Sequence, residues 1–282
     1  MINSNNYAYN IRMYHFIIKD ISKVIDFSYT FAGALTGVFI GLTGVGGGAL
    51  MTPILLLFFG VSPITAIATD LWFASITKIV GARIHQAAGN VDWLIVKRLW
   101  CGSLPIALLV VLLINFNVYI SNVDWLTEAI GFLVLVTAIG LLLAPKLKQI
   151  ALNYRLKKAT CFKSIQPALT VISGGILGIC VALTSVGAGA LGSVMLLFLY
   201  PLRMAPHRLV ATDIVHAIPL AVVAGIGYLF AGKVDGWMLI SLLIGSIPAV
   251  LIGSILAGKC SPRVIQFLLS FVLIAAAYKL LA

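Results

Sequence analysis

Charge is what this chain has least of. Only 10% of its 282 residues are Asp, Glu, Lys or Arg, whereas soluble domains carry roughly 25% to cover their surfaces. Acids are the scarcest of these, with 8 Asp and Glu against 19 Lys and Arg. A shortage on this scale excludes a water-soluble globule. The four cysteines, Cys101, Cys161, Cys180 and Cys260, are widely separated and form no CxxC pair, so neither a disulfide framework nor a metal site follows from them. HExxH, GxSxG and His-rich clusters are missing, which argues against an enzyme embedded in a membrane. No ATPase motif is present either. The stretch Gly44-Val-Gly46-Gly-Gly-Ala49 formally fits the GxGxxA of a dinucleotide loop, but no strand–helix unit surrounds it and the match is rejected. No cofactor is expected.

What fills the space is hydrophobic sequence, 61% of the chain at a mean hydropathy of +1.11. Runs such as Trp93–Ile114, Trp125–Ala144 and Trp237–Ala257 approach the roughly 20 residues that carry a helix across a bilayer. The alternation of an outer-membrane barrel strand is not seen. The net charge of +11 is spread between these runs and not along one face, which is the pattern of loops flanking membrane helices. Nucleic acid is therefore not an expected partner. Residues 1–26 read as a polar to amphipathic leader. Lys19, Asp20, Lys23 and Asp26 interrupt the apolar core that a signal peptide needs.

The chain also repeats itself. Gly37-Val-Phe-Ile-Gly-Leu-Thr43-Gly-Val-Gly46-Gly-Gly48 aligns with Gly178-Ile-Cys-Val-Ala-Leu-Thr184-Ser-Val-Gly187-Ala-Gly189. After a two-residue insertion near Tyr200, Ala68-Thr69-Asp70 aligns with Ala211-Thr212-Asp213, Gly89–Asp92 with Gly232–Asp235, and Gly102–Pro105 with Gly245–Pro248. Four blocks in one order read as a tandem duplication. The expected fold is an all-α polytopic membrane protein of two homologous repeats, 27–144 and 167–282. In each, a helix runs into a glycine break, a short helix follows, and three longer spans complete the unit. The basic linker 145–166, with Lys146, Lys148, Arg155, Lys157, Lys158 and Lys163 and no acid, faces the cytoplasm by the positive-inside rule. Charge alone allows parallel or inverted repeats. Residues 27–59 exceed what one crossing requires, which favours a hairpin and hence inversion.

Glycines clustered inside a membrane segment mean unwound backbone, which survives at that depth only when buried in protein or lining a polar cavity. The short helix behind each break would aim its N-terminus and free N–H groups at that cavity, an end that attracts anions. Gly44, Gly46, Gly47 and Gly48 in the first copy and Gly187 and Gly189 in the second are thus candidate substrate-binding residues. Thr43, Thr184, Ser185, Thr69 and Thr212 are candidate hydroxyl donors. Gly33, Gly37 and Gly41, like Gly174 and Gly178, have the small-xxx-small spacing of close helix packing. Ionisable groups within spans are costly and usually functional, so Asp70, Asp213, Lys78 and His216 are candidates for proton coupling. The competing readings are that the aspartates complement helix N-termini and that Lys78 snorkels to the surface. His216, one turn after Asp213, is placed to bond with it. Asp92 and Asp235 each precede a hydrophobic run and fit N-caps. Trp93, Trp125 and Trp237 sit at span starts as interfacial anchors. Arg203, His207 and Arg208 read as residues of a solvated loop.

Taken together, Gly41-Leu-Thr-Gly-Val-Gly-Gly-Gly48 with Pro53, Ala68-Thr69 and Gly89-Asn-Val-Asp92, with a second weaker copy, resemble the sulfite exporter TauE/SafE family of bacterial permeases over about residues 27–281. The resemblance implies a multi-pass transporter of the bacterial cytoplasmic membrane for small sulfur-containing anions such as sulfite or sulfonates. The chain departs from that pattern at Ser185-Val-Gly-Ala-Gly189, where a triple glycine is usual, and at Asp70 and Asp213, where serine is common. The expected function is a secondary transporter of a small anion, with a proton as candidate coupling ion. The expected partners are the anion and the lipid bilayer. An anion channel is the alternative, and a membrane enzyme or scaffold a more distant one.

Overall fold

A computed structural model of the chain describes residues 26–43, 48–84, 91–115, 124–157, 159–257 and 262–282. Among them every regular element is a helix. Five come first: α1 (Phe27–Thr43), α2 (Gly48–Phe59), α3 (Pro63–Ile84), α4 (Trp93–Asn115) and α5 (Asp124–Lys157). Five follow: α6 (Ala159–Thr184), α7 (Ala190–Leu199), α8 (Pro206–Phe230), α9 (Gly236–Ala257) and α10 (Pro262–Leu281). Seven contain stretches long and apolar enough to cross a membrane, while α1, α2 and α7 are apolar but shorter. Helices satisfy their own backbone groups, which is why hydrophobic runs of this length adopt them in lipid. The protein is thus an all-α, multi-pass membrane protein. Residues 1–25 of the expected leader lie outside the described residues. Residues 145–157 continue α5 through Pro145, and 159–166 open α6, so the basic joint is helical on both sides.

The outward faces of the helices are apolar, with Leu108, Leu109 and Leu112 on α4, Leu251, Ile252 and Ile255 on α9, and Phe267 and Phe271 on α10 all exposed. Trp93, Trp125 and Trp237 are likewise exposed at helix starts, as interfacial anchors would be.

Lipid supplies no hydrophobic force between helices, so close van der Waals approach must hold them together. The two most extensive interfaces are α1 on α9 and α4 on α6, and glycine makes both. A Cβ on Gly33, Gly37 or Gly41 would strike the backbone of Leu242, Ser246 or Val250. On Gly174 or Gly178 it would strike that of Leu99 or Ser103, which align with Leu242 and Ser246. Gly102 against Val171 is likewise matched by Gly245 against Thr30. At the centre α3 crosses α8, while α4 packs on α8 and α9 on α3.

Ring and hydrogen-bond contacts fix the path of the broken elements. Tyr29, in the first turn of α1, stacks on Phe59 at the end of α2, with ring centroids 4.4 Å apart. Further on, Gln166 Nε2 donates to the Leu199 carbonyl and the hydroxyls of Thr170 and Tyr200 share a bond, each at 2.7 Å. The end of α2 thus lies beside the first turn of α1, and the end of α7 lies two to three turns into α6. α1–α2 and α6–α7 are hairpins that return to the side from which they enter.

Candidate functional site

The tip of the α6–α7 hairpin is a tight turn, Ser185–Gly189, and all of it is buried. The Thr184 hydroxyl holds it, donating to the Cys180 carbonyl at 2.7 Å and accepting from the Val186 N–H at 3.2 Å. Gly187 and Gly189 adopt φ of 121° and 126°, a region that only glycine occupies without strain. Ser185 is also left-handed, at φ 58°. The turn directs the Ala188 carbonyl inward, where it accepts a 2.9 Å hydrogen bond from Lys78 Nζ of α3. Lys78 is 3% exposed. It does not snorkel; its ammonium ends in the protein.

Two carboxylates flank this contact, and both are buried. Asp70, about two turns before Lys78 on α3, accepts from the Thr52 hydroxyl of α2 at 2.5 Å. Its other oxygen has no partner, and neither has the buried hydroxyl of Ser185, which lies beside it. Asp213 on α8 takes the corresponding place at the start of α7. Its Oδ1 is 2.6 Å from where a Cβ on Gly192 would sit, so that glycine makes room for the carboxylate. Asp213 also lies close to the Gly189 N–H. Neither geometry closes a bond: both Asp213 oxygens and the Ser193 hydroxyl are buried without a partner. Both carboxylates are within electrostatic reach of Lys78, yet neither forms an ion pair with it. Among the described residues the ion pair is that of Arg203 with Asp92.

The remaining candidates divide. His216, also buried, directs Nε2 to Ser103 Oγ of α4 at 3.0 Å and leaves Nδ1 unpartnered. The expected Asp213–His216 bond is therefore replaced by one across the α4–α8 interface. Thr69 and Thr212 use their hydroxyls to join the halves: Thr69 accepts from the Asp235 N–H at 3.2 Å and Thr212 from the Asp92 N–H at 3.1 Å. Thr43 donates to the Phe39 carbonyl of its own helix at 2.7 Å. Gly44, Gly46 and Gly47 lie outside the described residues; Gly48 opens α2.

The two expected caps differ. Asp235 Oδ1 accepts from the N–H groups of Trp237 and Met238, each at 3.0 Å, as an N-cap does. Asp92 starts α4 through its carbonyl, which accepts from Ile95 and Val96, and gives its side chain to Arg203. Arg203 NH2 donates to Oδ1 at 3.1 Å, and Nε lies 2.5 Å from Oδ2. The arginine is half-exposed, as a loop residue should be, but its partner is 2% exposed.

The family model described as Sulfite exporter TauE/SafE matches residues 29–280. The chain belongs to the TauE/SafE family. It is 35% identical over 256 residues to the probable membrane transporter protein YjnA of Bacillus subtilis, covering 88% of this chain and 97% of that one. Similarity at 24% identity extends to the B. subtilis probable membrane transporter protein YdhB, over 78% of this chain and 85% of the relative. A probable membrane transporter protein of Haemophilus influenzae is 26% identical over 73% of this chain and 72% of its own. No solved structure matches. Fold and likeness together make this a multi-pass membrane protein of a transporter family.

Sequence reasoning missed four contributors to the centre of this TauE/SafE chain: Thr52, Ser193, Ser103 and the Ala188 carbonyl. Two had a signal. Thr52 and Ser193 fall at aligned positions of the two similar stretches, a hydroxyl one turn into each short helix. Ser103 stands in the repeated Gly-Ser-x-Pro block but aligns with Ser246, which serves only its own helix. A backbone carbonyl leaves no mark in sequence at all.

Proposed function

We propose that this protein is a secondary transporter of a small anion, sulfur-containing such as sulfite or an organosulfonate, coupled to protons and resident in a bacterial cytoplasmic membrane. One observation carries the reading. A glycine turn between broken helices meets a buried lysine, and two buried carboxylates stand at the starts of both short helices. Intramembrane ionisable groups in such a setting mark ion and substrate pathways. Half-helix N-termini converging at mid-depth are a recurring way to hold an anion.

The same reading takes the halves as inverted repeats. Hairpins that return to their own side, followed by three spans each, support that arrangement, as do the residue-for-residue matched glycine contacts. The basic α5–α6 joint then marks the cytoplasmic face.

The test is a substrate panel on purified protein in liposomes: sulfite, thiosulfate, taurine, sulfoacetate and simple carboxylates, with and without a proton gradient. The expected result is gradient-stimulated accumulation of at least one anion. Dissipative flux that never exceeds the imposed gradient would favour the channel instead, and failure of every anion to move or to stabilise the protein would refute the anion site.

A further inference from the structure

Three ionisable side chains share the buried centre: Asp70 and Lys78 on α3 and Asp213 on α8. Among the described residues, helices α1, α2, α7 and α9 bring no charged side chain to them. From α6 comes the Cys180 thiol, and from α4 comes Ser103. The α4 cations Lys97 and Arg98 belong to its first two turns, where Arg98 reaches Tyr200. On α8, His207 and Arg208 occupy the first turn. His216 has no acceptor at Nδ1, so a second ring proton would be unpaired, and the imidazole counts as neutral.

One of four carboxylate oxygens, Asp70 Oδ2, receives a hydrogen bond, and Lys78 gives its own to a carbonyl. Two ionised carboxylates beside one ammonium would leave a net negative charge with three oxygens not bonded to the donors nearest them, the Ser185 hydroxyl and the Gly189 N–H. Burial strongly disfavours that state. Before substrate arrives, the centre is neutral when the carboxyl pair holds one proton. An arriving anion restores the imbalance unless the second carboxyl is protonated as well, and Asp213 already lies at the N-terminus of α7 that an anion would seek. A dianion would exceed what Lys78 balances even with both carboxyls neutral.

On the transporter reading above, we infer that this centre loads one small monoanion with one proton, electroneutrally, and discriminates against dianions. The substrate class is therefore a sulfonate, hydrogensulfite or carboxylate monoanion in preference to sulfate, thiosulfate or the sulfite dianion. Lys78 is the cation the substrate meets, and the two aspartates are its resident competitors.

The full-length protein in liposomes is offered isethionate and acetate against sulfate and thiosulfate, under potassium diffusion potentials of either sign. Monoanion uptake is expected to be indifferent to the potential, to carry one proton per anion, and to weaken in apparent affinity by about tenfold per pH unit above the titration range. Uptake driven by the potential, or preference for a dianion, overturns the inference. The double variant Asp70→Asn/Asp213→Asn is expected to lose the proton and become potential-sensitive.

A second readout needs no substrate. Infrared spectra of the wild-type protein at neutral pH should show the carbonyl stretch of one buried protonated carboxyl, missing from the double variant. Absence of that band in the wild type refutes the charge count. If no anion of any kind moves, the transporter reading fails, and the band still decides whether the centre is balanced as described.

Discussion

The Arg203–Asp92 ion pair is half in water and half out, which sets the size of its effect. Asp92 is 2% exposed and Arg203 46%. Removing one partner of a fully buried pair costs about 3–5 kcal/mol, because the other charge is left stranded, whereas exposed pairs contribute about 1 kcal/mol or less. Arg203→Ala would let water reach part of the stranded carboxylate, so about 1–3 kcal/mol is expected. For chains of 150–250 residues each kcal/mol lowers Tm by about 2–4 °C, and a loss of several degrees should be measurable in detergent. The assay is a double-mutant cycle with Asp92→Asn, read as thermal unfolding at low and high salt. Once Asp92 is neutral, Arg203→Ala should have little further effect, and high salt should shrink the wild-type advantage. Additive losses would refute the pairing. The pair matters because it ties the loop after the α6–α7 hairpin to the start of α4. The corresponding loop of the first half, Gly60-Val61-Ser62, contains no cation.

Other expectations follow from single contacts. Gly178→Val should push side-chain atoms into the Ser103 backbone and reduce folded yield, by about 1–3 kcal/mol of overpacking, with Gly37→Val doing the same at Ser246. Recovery of either variant with wild-type Tm would mean that those helices are not in contact. Thr69→Val and Thr212→Val each strip the acceptor from one buried or half-buried amide; a loss of about 1 kcal/mol apiece, seen as a Tm drop of a few degrees, should leave the other junction intact. Single cysteines at positions 148 and 233, in a background lacking the native four, should react with impermeant reagents from opposite sides of the membrane. Labelling from one side would show that the halves are not inverted.

How much of this is legible in the sequence depends on how local the signal is. The helices and the second break are readable because each follows from its own stretch: long apolar runs must be helical in lipid, and Gly187 and Gly189 mark the turn at 185–189. The glycine spacing at 33, 37 and 41 announces a close interface, but not that α9 fills it. Partner identity is a long-range fact that a single sequence does not print. The same limit explains the side chains. Asp92 and Asp235 look alike in sequence and diverge because, among the described residues, Arg203 pairs with the first while the second caps its own helix. Sequence pairs His216 with its helical neighbour because that is the only geometry sequence supplies, whereas α4 offers a hydroxyl at 3.0 Å.

The frame is matched between the halves, and the centre is not. Glycine contacts and threonine–amide bonds come in reciprocal pairs, each contact from the first half to the second matched by the aligned contact from the second to the first. The buried charges obey this only in part. Asp70 and Asp213 correspond, but Lys78 aligns with Ala221 and His216 with Phe73, both of these replacements buried. A strictly repeated centre would hold either no lysine or two. With none, an entering anion would meet only carboxyls. With two, both aspartates would be ionised and balanced, and no proton would be needed to admit or release anything. On the proposed reading, a single lysine between two carboxyls is the odd count in which protonation and anion occupancy would change together. The departure from the aligned pattern at position 78 is where, on that transporter reading, proton coupling would arise.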